Sequence, residues 1–405
     1  MLDKALGFST RAIHIGQDPD PSTGATVPPI TLSSTFTQAA PGEHKGFAYA
    51  RSNNPTRKNL ELCLAAIEKG ATAAAFASGL AGTHAICAAL LRPGDSIVAY
   101  SDLYGGTYRI FERVFRPWGL DIRYCDDKSP AAFAKLTDQT TKLLWLETPT
   151  NPLLHLLDIR AIVSAVRGKG AWPQPLNPAE CAGGGRGPVV VVDNTFASPA
   201  LQNPIALGAD LVLHSTTKYL GGHSDVIGGA VIAADAKVME PIRFVQNAAG
   251  GVPSPFDCYL THRGIKTLAV RMRQHCENAA KIASWAREQR GFEKVYYPGL
   301  PDHPDHALAK SQMAGFGGMV TCVLRGGFPA AKAFMSSTKL FACAESLGGV
   351  ESLVNHPAIM THASMPREVR ERIGVVDGLI RLSVGIEEVD DLIADLQAAL
   401  AAAAK

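Results

Sequence analysis

The stretch from Val189 to Ala230 constrains the fold more than any other. It reads VVVVDNTFASPALQNPIALGADLVLHSTTKYLGGHSDVIGGA. Four valines run without interruption into Asp193. A short β-branched run of this kind reads as a strand buried on both faces. ADLVLHSTTK is a second buried strand, and it runs into His214, Ser215, Thr216, Thr217 and Lys218. Ligands of open α/β sheets bind just beyond the carboxyl ends of strands. An Asp and a Lys therefore fall at neighbouring strand ends, the Lys among small hydroxyls and glycines. That set suits pyridoxal 5'-phosphate: a Lys for the Schiff base, a carboxylate to hold a proton on the pyridine nitrogen, hydroxyls and amides for the phosphate. Taken alone, the stretch leaves equally open that both are ordinary loop residues behind strands.

The chain has 405 residues, too many for one core, so two domains are expected. Hydrophobic residues make up 46% and charged residues 19%, the balance of a globular enzyme rather than a disordered chain. A formal net charge of +2 points to neither nucleic acid nor an acidic membrane surface as partner. The eight cysteines form no CxxC, and several lie in apolar runs. They read as buried free thiols of a reducing compartment, and a cytoplasmic location is expected. The first residues, MLDKALGFSTRAIH, lack the apolar core of a secretory signal, and no run of eighteen apolar residues suggests a membrane span.

Residues 1–58 show little regular pattern, as for an arm that packs on a neighbouring subunit. Within them Tyr49 and Arg51 stand two apart and share a side if extended. Such a pair can clamp a phosphate, although spacing alone equally fits a surface aromatic with a solvated arginine. Residues 59–255 alternate between helix and strand, which implies a mostly parallel sheet. ATAAAFAS leads into SGLAGTHAICAALL, so Ser78, Gly79 and Leu80 lie at a strand-to-helix turn with free amides for a phosphate. DSIVAY and TTKLLWLE are further strands, and Glu147, Asn151, Asp193 and Ser215 all fall just past strand ends. Polar residues at successive strand ends mark a site at one sheet edge. The Gly/Pro-rich segment 168–188 reads as an exposed loop.

Residues 256–405 read as an α+β domain. IKTLAVRMRQHCENAAKIASWAREQ is one long amphipathic helix. GFEKVYYPGL, GGMVTCVLRGG, KLFACAES and GLIRLSVGIE read as short strands, with FPAAKAFMSS and EVDDLIADLQAALAAAA as helices. No pair of histidines, His214 and His223 included, has metal-ligand spacing, so no metal is expected.

With these motifs in hand, the chain resembles the Cys/Met-metabolism family of pyridoxal-phosphate enzymes. The strings that carry the resemblance include YARSNNPTR, FASGLA, DLYGGTYR, ETPTNP, VVDNTF, HSTTKYLGGHSDVIGG, ESLGGVESL and IRLSVGIE. They span about Phe8 to Leu400 in order. The resemblance implies the type I fold of pyridoxal-phosphate-dependent transferases, like that of aspartate aminotransferase. It also implies a homotetramer built from active dimers, and an amino-acid substrate.

The family's roles carry over position by position. Lys218 matches the Schiff-base lysine and Asp193 the partner of the pyridine nitrogen. Gly79, Leu80, Ser215 and Thr217 match the phosphate cradle. Tyr49 and Arg51 match residues reaching the phosphate from the adjacent subunit. Tyr104 matches the aromatic stacked on the pyridine ring, where it would also assist proton transfer. Asn151 matches a contact near the ring hydroxyl. Arg381, helped by Ser346, matches the grip on the substrate α-carboxylate, a task for which a bidentate guanidinium is suited.

The implied activity is γ-elimination of L-cystathionine to cysteine, 2-oxobutyrate and ammonia, with hydrogen sulfide release from cysteine as a possible further activity. Glu345 matches an acidic residue of the γ-lyase group. Gly106 stands where methionine γ-lyases carry a cysteine. Arg109 matches a basic residue for the distal carboxylate. Ala48 departs from a Glu that some γ-lyases use for the distal ammonium, which loosens distal recognition. γ-Synthase and β-lyase activities on the same scaffold are the alternatives. A silent regulatory protein is the remote one.

Overall fold

The computed structural model describes residues 6–167, 187–363 and 365–404. The Gly/Pro-rich segment lies, up to residue 186, outside the described residues.

The larger of two sheets has seven strands: β1 (Thr72–Phe76), β2 (Ser96–Tyr100), β3 (Asp121–Cys125), β4 (Thr141–Glu147), β5 (Val189–Asp193), β6 (Leu211–Ser215) and β7 (Gly229–Ala233). Their order is β1-β7-β6-β5-β4-β2-β3. The strands from β6 to β3 are parallel, whereas β7 runs antiparallel to both β6 and β1. The valine strand lies at the middle of this order. Val189 and Val191 join a cluster with Phe111 and Trp145; Val190 and Val192 join another with Leu144, Leu146 and Ile162. Both faces are thus covered, as an unbroken valine run requires. Each buried valine contributes about 2 kcal/mol of transfer free energy.

The second sheet has five strands: β8 (Phe292–Tyr296), β9 (Met319–Leu324), β10 (Ala342–Cys343), β11 (Leu353–Asn355) and β12 (Leu379–Ser383). Their order is β10-β11-β12-β9-β8. The helices Gly327–Ser337 and Val389–Ala403 cover it, and Phe334, Leu392 and Leu396 share its apolar cluster.

Two sequence expectations are corrected. The arm is not wholly irregular: Phe8–His14 is helical, and Arg11 donates to the Ala66 carbonyl at 2.8 Å. KLFACAES keeps only a two-residue strand, because the chain turns away into the cavity wall at Ala344. The expected long helix stands as the 21-residue helix Leu268–Glu288, and a separate helix, Pro255–Ile265, precedes it. The break between these two helices has a chemical cause. The Gly264 carbonyl accepts from the Thr267 hydroxyl at 3.1 Å and from Arg271 Nη2 at 2.8 Å. These side-chain donors take the place of continuing helix. Arg271 also donates from Nη1 to the Tyr219 carbonyl at 2.8 Å. The residue after Lys218 is thereby tied to the second helix.

Candidate active site

The carboxyl ends of β4, β5 and β6 deliver Glu147, Asp193 and Ser215 side by side, with Glu147 in register with Asp193. Beyond them opens a cavity of about 700 Å³, lined among others by Gly79, Tyr104, Asp193, Lys218, Ser346 and Arg381.

Asp193 is 8% exposed. Burial pushes its carboxyl upward, and hydrogen bonds from Thr195 and the nearby His214 pull it back. Thr195 ties two strand ends together: its amide donates to Asp193 Oδ1 at 3.0 Å, and its Oγ1 accepts from the Ser215 amide at 3.0 Å. Sequence reasoning gave Thr195 no role, although the signal was its place two residues past the strand-end Asp.

Lys218 Nζ donates to Ser346 Oγ at 2.7 Å. Burial, and then the positive Arg381, lower the lysine to about 8, with Glu345 opposing both. A low value suits a lysine that must act as a neutral amine. Ser346 has φ +96°, in the left-handed region that disfavours a side chain.

The 12-residue helix Gly79–Leu90 starts against this edge. Ser78 Oγ accepts from the Ala81 amide at 3.1 Å. The amides of Gly79 and Leu80 belong to a first turn without intrahelical partners. A Cβ on Gly79 would stand 3.2 Å from the Ser215 Cβ, so the turn lies directly on that strand end. Thr217 donates from Oγ1 to the Gly228 carbonyl at 3.2 Å and faces the same cavity.

Arg381 is 1% exposed, on β12 of the second sheet. Its Nη1 donates to Asn151 Oδ1 at 2.7 Å and its Nη2 to the Ser346 carbonyl at 3.0 Å. Its buried Nε has no partner among the described residues. Burial lowers the guanidinium to about 10, which leaves it charged at neutral pH. An incompletely paired buried cation facing a cavity is a site for an anionic group.

Tyr104 lines the cavity, and burial raises its phenol. Its amide donates to Glu147 Oε2 at 2.8 Å. Glu345 lines the wall beside Ser346. Arg109 is exposed and, like Tyr49 and Arg51, is not among the cavity-lining residues. The Arg51 guanidinium lies 5.6 Å from the centre of the exposed Tyr49 ring. No group of three or more His, Cys, Asp or Glu with metal-holding geometry occurs among the described residues. The seven described cysteines are free, and no described helix is long and apolar enough to cross a membrane.

The residues present fit pyridoxal phosphate. A buried lysine of lowered pKa, a buried carboxylate at the adjoining strand end, open amides at a helix start and a half-paired arginine converge on one cavity. When bound, the cofactor supplies an electron sink for bonds broken next to the amino nitrogen.

Comparison with known proteins agrees. Residues 9–401 match the model of the Cys/Met metabolism PLP-dependent enzyme family. A cystathionine gamma-synthase of Mycobacterium tuberculosis is 50% identical, over 97% of this chain and 97% of the relative. A cystathionine gamma-lyase of Bos taurus is 48% identical over 99% and 95%, and a cystathionine beta-lyase of Coxiella burnetii 46% identical over 98% and 99%. The crystal structure of a cystathionine gamma-synthase from Xanthomonas oryzae in complex with cystathionine superposes with a TM-score of 0.92 at 44% identity, covering 98% of this chain and 99% of that one. The protein is a pyridoxal-phosphate-dependent enzyme with the type I fold. The chain belongs to the Cys/Met-metabolism family of PLP-dependent enzymes.

Proposed function

We propose that the chain catalyses γ-elimination of L-cystathionine, with water, to L-cysteine, 2-oxobutyrate and ammonia. The observation that carries this reading is Glu345 in the cavity wall, next to the Ser346 that holds Lys218. γ-Chemistry asks more of the lysine than β-chemistry. The amine must take a proton from Cα and then one from Cβ before the sulfur at Cγ departs. A carboxylate beside the lysine favours its protonated form between these transfers.

The remaining roles follow from chemistry and position. Arg381 grips the α-carboxylate, with its guanidinium fork held by Asn151 and the Ser346 carbonyl. Asp193 keeps the pyridine nitrogen protonated. Gly79, Leu80, Ser215 and Thr217 take the phosphate. Tyr104 covers the ring face and assists the proton transfers. The assembly proposed is a homotetramer of active dimers. In it the arm, residues 1–58, carries Tyr49 and Arg51 to a neighbour's phosphate, while residues 59–255 bind the cofactor and 256–405 form the C-terminal domain. The exposure of Tyr49 and its absence from the lining of this chain's own cavity support that reading. Arg109 is read as a distal-carboxylate contact, its charge lying near enough to Tyr104 to act on the phenol.

A second reading, γ-synthase activity, draws on the 50% identity to the mycobacterial gamma-synthase and on Ala48. Identification of the keto acid formed from cystathionine decides. 2-Oxobutyrate with cysteine supports γ-elimination. Pyruvate with homocysteine assigns β-elimination. Little turnover of cystathionine, together with its formation from an activated homoserine and cysteine, assigns the synthase.

A further inference from the structure

Glu147 is a buried carboxyl group in the cavity wall to which neither the sequence motifs nor the proposed chemistry assigns a task. It ends β4 and is 4% exposed. Its Oε2 receives the main-chain amide of Tyr104 at 2.8 Å. Tyr104 immediately precedes the six-residue helix Gly105–Ile110, and its own side chain does not cap that helix. The segment ahead of the ring is thus held by a contact from another strand. The ring is confined on its other side as well. A Cβ on Gly106 would stand 2.3 Å from Cε1 of Tyr104, so the ring lies directly over the Gly106 backbone.

We propose that Glu147 is the positioning residue for Tyr104: its carboxyl fixes the Tyr104 amide, and Gly106 leaves the space in which the ring settles over the cofactor plane. This rests on the reading of Tyr104 as the ring-stacking residue. Glu147 acts here as a hydrogen-bond acceptor rather than as a charge. Burial, and then the adjacent Asp193, raise its pKa well above the usual carboxylate range. The same two causes work against a second negative charge beside Asp193.

The test uses the cofactor-loaded enzyme and four variants: Glu147→Gln, Glu147→Ala, Tyr104→Ala and the double variant Glu147→Ala/Tyr104→Ala. The readouts are the visible circular dichroism of the bound cofactor, cofactor affinity, and kcat and KM separately. Glu147→Gln keeps a neutral acceptor and is expected within about threefold of wild type in kcat, with its dichroic band intact. Glu147→Ala is expected to lower kcat on the order of tenfold, move KM less, and shrink the band. In the Tyr104→Ala background the Glu147→Ala change is expected to have no further effect, because it acts through the ring. Additive losses in the double variant, or a Glu147→Gln variant as impaired as Glu147→Ala, overturn the proposal. If Tyr104→Ala alone leaves the band and kcat unchanged, the stacking role of Tyr104 fails instead.

Discussion

Lys218 Nζ and Ser346 Oγ lie 2.7 Å apart, and the bond joins the two sheets of the molecule at the cavity. The lysine follows β6 of the larger sheet, and the serine lies between β10 and β11 of the smaller one. Ser346 pays for its place with a left-handed backbone. Such strain at a non-glycine residue costs about 1–3 kcal/mol and persists where surroundings over-determine it.

That geometry separates two substitutions of Ser346. Ser346→Ala keeps the strained backbone and loses the hydroxyl. Ser346→Gly also loses the hydroxyl but relieves the strain, partly offset by greater freedom of the unfolded chain. The Gly variant is expected to be the more stable by about 1 kcal/mol, while both lose activity. Thermal unfolding of the two variants checks the order, and a more stable Ala variant contradicts it.

Lys218 titrates near 8 in the cofactor-free chain, below the ordinary 10.5. Only the neutral amine captures the cofactor aldehyde. Capture by the cofactor-free enzyme is therefore expected to accelerate about tenfold per pH unit below 8 and to level off above it. An unshifted lysine would continue to gain rate towards pH 10. The same shift affects stability. Between about 8 and 10.5 the unfolded chain holds this proton and the folded chain does not. This group's burial penalty is therefore full below pH 8, and its contribution to stability rises with pH across the window. Stopped-flow growth of the visible cofactor band, followed against pH, measures the first effect.

Arg381→Lys keeps the charge and loses the fork. Two of the bonds that aim it, to Asn151 and to the Ser346 carbonyl, use different guanidinium nitrogens. One ammonium cannot reproduce that arrangement and also meet both carboxylate oxygens. The expected result is a fall of kcat/KM on the order of 100-fold with cofactor content unchanged. A variant that also loses its cofactor would place Arg381 in cofactor binding instead.

Legibility in the sequence tracked burial. β5 and β6 were readable because strands covered on both faces carry unbroken apolar runs. β3, DIRYC, was not: it is an edge strand with partly exposed residues and no clean period. β7, GAVIA, is fully buried but opens on glycines that read as the end of a loop. Residues supplied by one strand end, such as Asp193, were placed by the same logic. Contacts made by folding distant segments together were not. The Glu147–Tyr104 bond spans 43 positions, and the Arg381–Asn151 bond spans 230. The left-handed φ of Ser346 leaves no trace in residue type, since glycine would be the expected choice.

Gly106 is a second lever on Tyr104. A methyl there would meet the ring at Cε1, Cζ and Cδ1, at 2.3, 2.8 and 3.1 Å. Gly106→Ala is expected to swing the ring away and lower kcat on the order of tenfold, without loss of fold, because the ring is free to move into the cavity. Near-unchanged far-ultraviolet dichroism with an altered visible cofactor band is the signature. An unaltered visible band shows that the ring tolerates the methyl without moving.

Glu345 separates reaction types more directly than any other substitution. Its carboxylate raises the Lys218 pKa against burial and the charge of Arg381. Removing it in Glu345→Ala leaves the lysine more often neutral. Proton abstraction at Cα is then retained, whereas the protonated lysine needed between the Cα and Cβ transfers is less available. γ-Elimination is expected to slow relative to any β-elimination, so the ratio of 2-oxobutyrate to pyruvate formed from cystathionine falls. Cofactor content is expected to stay constant, because Lys218, Asp193 and the Gly79 turn are untouched. Glu345→Gln separates charge from shape: if charge matters, it behaves like the Ala variant. An unchanged product ratio in both variants removes Glu345 as the determinant of γ-chemistry.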